Sequence, residues 1–307
     1  MREIFKRLAG ALTRHLFCMI AVSALPLAVP AAAGAQVTIA QISDTHLGEA
    51  EAPNAAENLR RTVEMVNARH PDAVVLSGDI GENPEEWQRA REILKGLNAP
   101  LYYAPGNHDV HSTDVERYRG VFGPDYYSFQ LRGVTFLVID SQLLGNFDQF
   151  EARSPQPLPG ETQAEAEKML DWLGRQRAGR DAGRQRRHWW SRARDRDGDV
   201  DGGGETVIAI QHIPAARGND LPPDSKPYWV VNDPYRSREL ALLHRLGIRH
   251  VLAGHWHVGT TFTADGITWH VAPSTGRMLP WSGSLGFAMH TITGEGQVRT
   301  EFVPLGQ

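Results

Sequence analysis

Ala99-Pro100-Leu101-Tyr102-Tyr103-Ala104-Pro105-Gly106-Asn107-His108-Asp109 is the stretch whose reading decides the fold. An apolar run ends on a glycine, and an amide, an imidazole and a carboxylate follow with no spacer. Glycine lets the backbone turn sharply where a strand stops. An asparagine offers a carbonyl oxygen to a hard cation, and the histidine beside it can ligate a metal or move a proton near neutral pH. The tetrapeptide gains its weight from four other segments of matching chemistry: Asp44-Thr45-His46, Gly78-Asp79, Gln211-His212 and Gly254-His255-Trp256-His257.

Working outward, each of these segments follows a strand-like run. Val37 to Ser43 alternates apolar and polar residues with β-branched content, which predicts a strand. Asp44 and His46 lie just past it, and in extended chain residues two apart point the same way. Asn54 and Glu57 have capping-box spacing and open a helix to about Arg69, with Leu59, Val63 and Val66 on one face. Ala73-Val74-Val75-Leu76 is a short continuous apolar run, the pattern of a strand buried on both faces. Asn83-Pro84-Glu85-Glu86 caps the next helix, whose apolar face carries Trp87, Ala90, Ile93 and Leu94. Three strand–helix units therefore place acid, amide or imidazole after a strand. In open α/β sheets the carboxyl ends of strands gather at one edge, so these groups can meet there.

The rest of the chain continues in kind. Thr113 and Glu116 open a short helix to about Phe122. Tyr126 to Leu131 and Val134 to Asp140 form a hairpin around Arg132-Gly133. Ser154 to Gly160 is proline-rich loop, and a helix carrying Met169, Leu170, Trp172 and Leu173 starts at Thr162. Residues 174–204 are rich in Arg, Asp and Gly, with little apolar content beyond Trp189 and Trp190, and predict a mobile insertion. The arginines at 184–187 lie among aspartates that offset them, which predicts a solvated loop. Thr206 to Ile210 is a strand ending on Gln211-His212. A helix follows Asp233-Pro234, and His250 to Ala253 is a strand before Gly254-His255-Trp256-His257. Gly259 to Val271 and Phe287 to Val303 read together as antiparallel structure closing a second sheet.

The ordered set Asp-x-His, Gly-Asp, Gly-Asn-His-Asp, His, Gly-His-x-His resembles the calcineurin-like metallophosphoesterase superfamily over nearly all of residues 37–305. Ser141-Gln142 after a strand and Gln211-His212-Ile213-Pro214 resemble one branch, which includes the animal calcineurin-like phosphoesterase domain-containing serine/threonine phosphatase. The resemblance implies an α/β fold, a four-layer αββα sandwich with two mixed β-sheets. It implies two divalent metal ions, Mn, Fe or Zn. Asp44, His46 and His257 would hold one and Asn107, His212 and His255 the other, with Asp79 bridging. A hydroxide between the ions would be the nucleophile, since bound water can reach a pKa near ~7. His108 is the expected proton donor or phosphate-oxygen stabiliser, with Asp109 a candidate to orient its ring. Arg217, Arg236 and Arg277 are candidate phosphate clamps. His70, His111, His188, His244, His250, His270 and His290 fall outside the motifs and are expected at the surface or in packing. Trp256 and Trp281 are placed either along the pocket or in packing. Ile80-Gly81-Glu82 after Gly-Asp lacks both the tyrosine of purple acid phosphatases and the Asp-Arg-Gly extension of classical phosphoprotein phosphatases. The function this implies is phosphoester hydrolysis. Its first form is a phosphomonoesterase of protein-phosphatase type, acting on a phosphoprotein or a small phosphoester. A phosphodiesterase or nucleotide hydrolase on the same core is the alternative, and a catalytically silent metal-stabilised binding module stands last.

Composition is compatible with this. The chain of 307 residues is 41% hydrophobic and 22% charged, ordinary for a globular protein with one large core. Its formal charge of −4 argues against nucleic acid as a binding partner. Residues 1–35 have a basic start (Arg2, Lys6, Arg7, Arg14), an apolar run from Leu16 to Leu25 and small residues at Ala33-Gly34-Ala35, the pattern of a cleaved signal peptide. Residues 36–307 would then be the catalytic domain, exported to the periplasm or secreted, with no permanent membrane anchor. Cleavage removes four basic residues and Glu3, moving the charge to −7, and removes Cys18, the one cysteine. Any metal must then be held by oxygen and imidazole nitrogen.

Overall fold

The structure is a computed structural model, and it describes residues 36–110, 115–176, 206–218, 222 and 224–306. The signal-peptide expectation and nearly all of the predicted insertion lie outside these residues, as do His111, Thr113, His188, Trp189 and Trp190. Two mixed sheets carry the fold. The first has the strand order β11-β10-β1-β2-β3, with β1 Val37–Ile42, β2 Ala73–Ser77, β3 Leu101–Ala104, β10 Gly286–Ile292 and β11 Val298–Pro304. The second has the order β4-β5-β6-β7-β9-β8, with β4 Tyr127–Leu131, β5 Val134–Val138, β6 Thr206–Ile210, β7 His250–Ala253, β8 Thr260–Ala264 and β9 Ile267–Val271.

Strand alternation divides the core into layers. Thr38, Ala40 and Ile42 point to one face of β1 and Val37, Ile39 and Gln41 to the other. Ala40 and Ile42 pack under α1 (Ala55–Asn67), α2 (Pro84–Leu94) and α3 (Val115–Phe122), whose buried residues include Leu59, Val63, Trp87 and Tyr118. Val37 and Ile39 meet Phe136, Ile208 and Leu252 of the second sheet. The far face of that sheet is covered by α4 (Gly160–Arg175) and α5 (Tyr235–Arg245) through Met169, Leu173, Leu240 and Leu243. This is the four-layer αββα arrangement expected from the sequence.

Three local expectations are corrected. The Asn54 side chain makes no capping bond; α1 enters from a backbone turn in which Ala55 N–H donates to Ala52 O. Asn83 does cap α2, accepting from Glu86 N–H at 3.0 Å. Gly174 and Arg175 belong to α4, so helix replaces the first part of the predicted insertion. The last four strands do not close one sheet. The β8–β9 hairpin joins the second sheet through β9 and β7, whereas β10 pairs antiparallel with β1 in the first. Hairpin turns encode each pair, and nothing local encodes which sheet edge receives it.

A buried polar seam crosses between the sheets, built from histidines expected only as surface or packing residues. Gln41 Nε2 donates to Ser77 Oγ and to Ala253 O, both at 2.8 Å, so its Oε1 accepts from His290 Nε2 at 2.9 Å. His290 Nδ1 then accepts from Thr300 Oγ1 (2.9 Å), which accepts from His270 Nδ1 (2.7 Å). His270 Nε2 accepts in turn from His250 Nδ1 at 3.0 Å. Burial holds His290 well below its ordinary pKa and His270 at about 4, so neutral rings fit this one-way order.

Glu239 of α5 is fully buried, and neither carboxylate oxygen has a hydrogen-bond donor among the described residues. Its neighbour Gln211 spends Nε2 on Ile213 O and leaves Oε1 without a donor. A carboxyl so placed is cheaper to bury neutral than charged. Burial pushes the Glu239 pKa up to about 8 from 4.5, outweighing the opposing pulls of Gln211 and Arg236. The folded pKa is the higher one, so this group's contribution to stability is fullest below pH 4.5 and falls as pH rises to 8. Glu239→Gln keeps a donor without the charge. It is expected to raise the melting temperature by a few degrees at pH 8, on the scale of ~1 kcal/mol, and by less at pH 5. Equal shifts at both pH values in thermal melts would rule this out.

Candidate metal centre

The loops after β1, β2, β3, β6 and β7 meet at the carboxyl edge of both sheets. The first sheet brings Asp44, His46, Asp79 and Asn107, and the second brings His212, His255 and His257. Donor atoms of Asp44, His46, Asp79 and His257 lie within 4.8 Å of one another, as do those of Asp79, His212 and His255. Asp79 belongs to both groups. Its Oδ2 is 3.1 Å from His212 Nε2 and 3.6 Å from His46 Nε2, and its Oδ1 accepts the backbone N–H of His108 at 2.9 Å. His257 Nε2 lies 3.2 Å from Asp44 Oδ1 and 3.0 Å from His46 Nε2.

The convergence does not come from extended chain, as the two-residue spacing suggested. Asp44, His46, Asp79, His255 and His257 have φ of 53°, 47°, 53°, 71° and 56°. These are left-handed conformations that cost non-glycine residues free energy, and they gather at functional sites. Asp44 and His46 are held there by strand-end bonds, Asp44 N–H to Gly78 O and His46 N–H to Asp79 O, both 3.0 Å. The loops also need glycine where they touch. A Cβ on Gly106 would sit 2.2 Å from Asp79 Oδ1, and one on Gly254 2.1 Å from Ser43 Oγ.

Second partners fix which nitrogen each histidine presents. His212 Nδ1 donates to Ser77 O (2.7 Å), His257 Nδ1 to Arg277 O (3.1 Å) and His255 Nε2 to Tyr228 O (2.9 Å). The opposite nitrogens, Nε2, Nε2 and Nδ1, are left with lone pairs for the centre. Asn107 Nδ2 donates to Tyr228 Oη at 2.9 Å, and its buried Oδ1 has no partner among the described residues. Unpartnered buried acceptors converging with two carboxylates are what hard or borderline divalent cations require, so the residues fit a dinuclear site.

The charges are consistent with this. Burial opposes ionisation of Asp44, but His257 and His212 bring its pKa to about 2; Asp79 lies well below its usual range against the same burial penalty, held by His212 and His108. Burial depresses His255 to about 3 and lowers His257, leaving both neutral. His212 and His46 go the other way despite burial, to about 9 and about 10. Asp79 and Asp44 raise the first, and Glu49 and Glu82 lead in raising the second. Protons on those two rings occupy the place that cations would take.

His108 lies at the mouth, its ring 4.7 Å from that of His46. Asp109 does not orient it. The Asp109 carboxylate accepts from Ile80 N–H at 2.8 Å and Gly106 N–H at 3.0 Å, fastening the β2 and β3 loops together. Glu82 takes the orienting position, its Oε1 2.8 Å from His108 Nδ1. Sequence reading noted position 82 only for the tyrosine it lacks; a carboxylate three residues after Asp79 was the available signal. Glu49 was missed too, with Oε2 2.8 Å from His46 Nδ1 at an angle poor for hydrogen bonding. Of the three arginine candidates, Arg277 alone adjoins the centre, paired with Glu49 at 2.6 Å. Arg217 bonds Asp224 O and Lys226 O, and Arg236 bonds Ala215 O and Asp265. Trp256 is fully buried against Phe262, and Trp281 donates to its carbonyl at 3.1 Å.

Fold and site together define a phosphoesterase built for metal. The chain belongs to the calcineurin-like phosphoesterase family, whose profile matches residues 37–259. It is 26% identical over 253 residues to a probable cyclic nucleotide phosphodiesterase of Rhodococcus erythropolis, covering 77% of this chain and 70% of that one. It is 26% identical over 234 residues to the human serine/threonine-protein phosphatase CPPED1, covering 71% of this chain and 64% of that protein, just under two thirds of its length. A dimetal phosphatase structure from Danio rerio superposes with a TM-score of 0.54 at 15% identity over 88% of this chain and 99% of that one, which shows the shared fold. The protein is a hydrolase of phosphoester bonds.

Gly106→Ala tests the geometry directly. The added methyl must displace Asp79, the carboxylate common to both groups. The variant is expected to keep its circular dichroism spectrum, lose ~1–3 kcal/mol of stability and bind fewer than two metal equivalents by elemental analysis. Full occupancy in a stable protein would contradict the close approach.

Proposed function

We propose that the protein hydrolyses phosphomonoesters of poor leaving alcohols, phosphoserine-type esters among them, with His108 as proton donor. The observation that carries this is the His108–Glu82 pair at the mouth of the centre. Glu82 accepts from Nδ1, which fixes the ring and leaves Nε2 as the remaining proton-bearing nitrogen. Burial opposes a charge on His108, yet Asp79 and Glu82 raise its pKa above the ordinary value, which favours the protonated ring an acid needs. Asp44, His46 and His257 are assigned to one ion, Asn107, His212 and His255 to the second, and Asp79 to both. Bound there, divalent ions supply Lewis acidity and a water acidic enough to attack phosphorus near neutral pH. The protein's own groups do the rest. Asp109 holds two loops in register, the carbonyls of Ser77, Tyr228 and Arg277 aim three imidazoles, and Arg277 flanks the opening beside Glu49.

Similarity to the human serine/threonine phosphatase supports the monoester reading, and similarity to the probable cyclic nucleotide phosphodiesterase supports diesters as the second. The basic and then apolar composition of residues 1–35 supports export, so the substrate would be met outside the cytoplasm.

General-acid help is typically worth ~10²–10⁴ in rate, and it matters most when the leaving oxygen is basic. His108→Ala is therefore expected to retain two metals and to lose far more activity on an alkyl phosphate than on p-nitrophenyl phosphate. Equal losses on both would make His108 a stabiliser of phosphoryl oxygens. Higher turnover of bis-p-nitrophenyl phosphate than of either monoester would favour the diesterase reading.

A further inference from the structure

Tyr228 touches the centre in two ways, and the reading above uses only one of them. Its carbonyl aims His255, and its hydroxyl oxygen accepts the Asn107 amide at 2.9 Å. Both residues belong to the same half of the centre. The hydroxyl's own hydrogen has no acceptor among the described residues. A phenol hydroxyl carries one hydrogen, so the group still has a bond to donate.

The mount is rigid. Tyr228 sits in a short 3-10 turn, Pro227–Trp229, with its ring centroid 4.8 Å from His255, 5.0 Å from Trp229 and 5.1 Å from Phe150. Phe150 is 42% exposed, so the tyrosine is packed between His255 on one side and a solvent-facing ring on the other. A hydroxyl fixed on its acceptor side by Asn107, with a free donor side, is suited to an anionic oxygen.

We propose that Tyr228 is a catalytic residue whose hydroxyl donates a hydrogen bond to an oxygen of the phosphoryl group under transfer. This rests on the metal-centre assignment above and adds a protein donor to it. A rival role is confined to Asn107: the hydroxyl would merely hold the amide so that Oδ1 faces inward. The two differ in what is lost when the oxygen is removed.

Tyr228→Phe in the metal-loaded, full-length protein separates them. Orthovanadate and inorganic phosphate serve as probes by calorimetry, beside elemental metal analysis. The variant is expected to keep both metals and to bind vanadate roughly 10- to 100-fold more weakly, the usual scale for a lost hydrogen bond to a charged oxygen. The turnover number should fall in proportion, with little change in KM. Unchanged vanadate affinity at full metal occupancy would overturn the proposal. So would loss of one metal, with vanadate affinity restored by excess metal, which is the positioning role. A second measurement keeps the hydroxyl and its packing. With 3-fluorotyrosine at position 228, the fluorine resonance should shift when vanadate is added to the loaded protein, and an unmoved line would overturn the donor role. A wild-type protein that binds neither metal nor vanadate would instead defeat the assignment beneath.

Discussion

One carboxylate, that of Asp79 at the end of β2, has to be reached from the ends of four other strands at once. It is buried, it lies in both donor groups, and it also accepts the His108 amide. A buried charge so placed is tolerable only when opposite charge or donors surround it. The remainder of the edge follows from that need. Glycine stands where loops must touch, five ligand candidates take left-handed backbone, and Asp109 ties two loops by accepting their N–H groups. The fold provides the meeting point because parallel β1, β2 and β3 in one sheet, and β5, β6 and β7 in the other, all end on the same side.

Much of this was readable from residues alone because chemistry and periodicity coincide. Apolar runs mark β1, β2, β3, β6 and β7, and the polar residues after them name the seven candidate ligands that converge. Alternation in extended chain cannot describe Asp44 and His46, because strand-end hydrogen bonds drive both into the left-handed region. That choice is tertiary, and no propensity announces it. Asp109 is similar: adjacency to His108 suggested an orienting role, while the backbone turn sends its carboxylate to amides of the β2 loop. Tyr228 and Glu49 belong to segments without a recognisable motif, and only three-dimensional proximity reveals them. The separate destinations of the β8–β9 and β10–β11 hairpins were illegible for the same reason.

The composition of the site also explains its division of labour. Backbone carbonyls from Ser77, Tyr228 and Arg277 set three histidine tautomers, so orientation does not depend on further long side chains. The longer acidic side chains, Glu49 and Glu82, stand instead around His46 and His108, where proton position matters most. A carboxylate at position 82 in place of a phenol removes a ligand suited to ferric iron and supplies a partner for an imidazole.

The seam from Gln41 through His290, Thr300 and His270 to His250 has a bearing on the distance between the two halves of the centre. Every donor in it is used in one direction, so sliding one sheet against the other must strain several buried bonds at once. Apolar contacts alone would permit a continuous slide of fractions of an ångström. The seam thus resists relative movement of the ligands the first sheet carries and those the second carries. Its Gln41 end reaches Ala253, one residue before Gly254-His255, and Ser77, whose carbonyl aims His212. The spacing available to a pair of ions is therefore gauged by residues that never touch them.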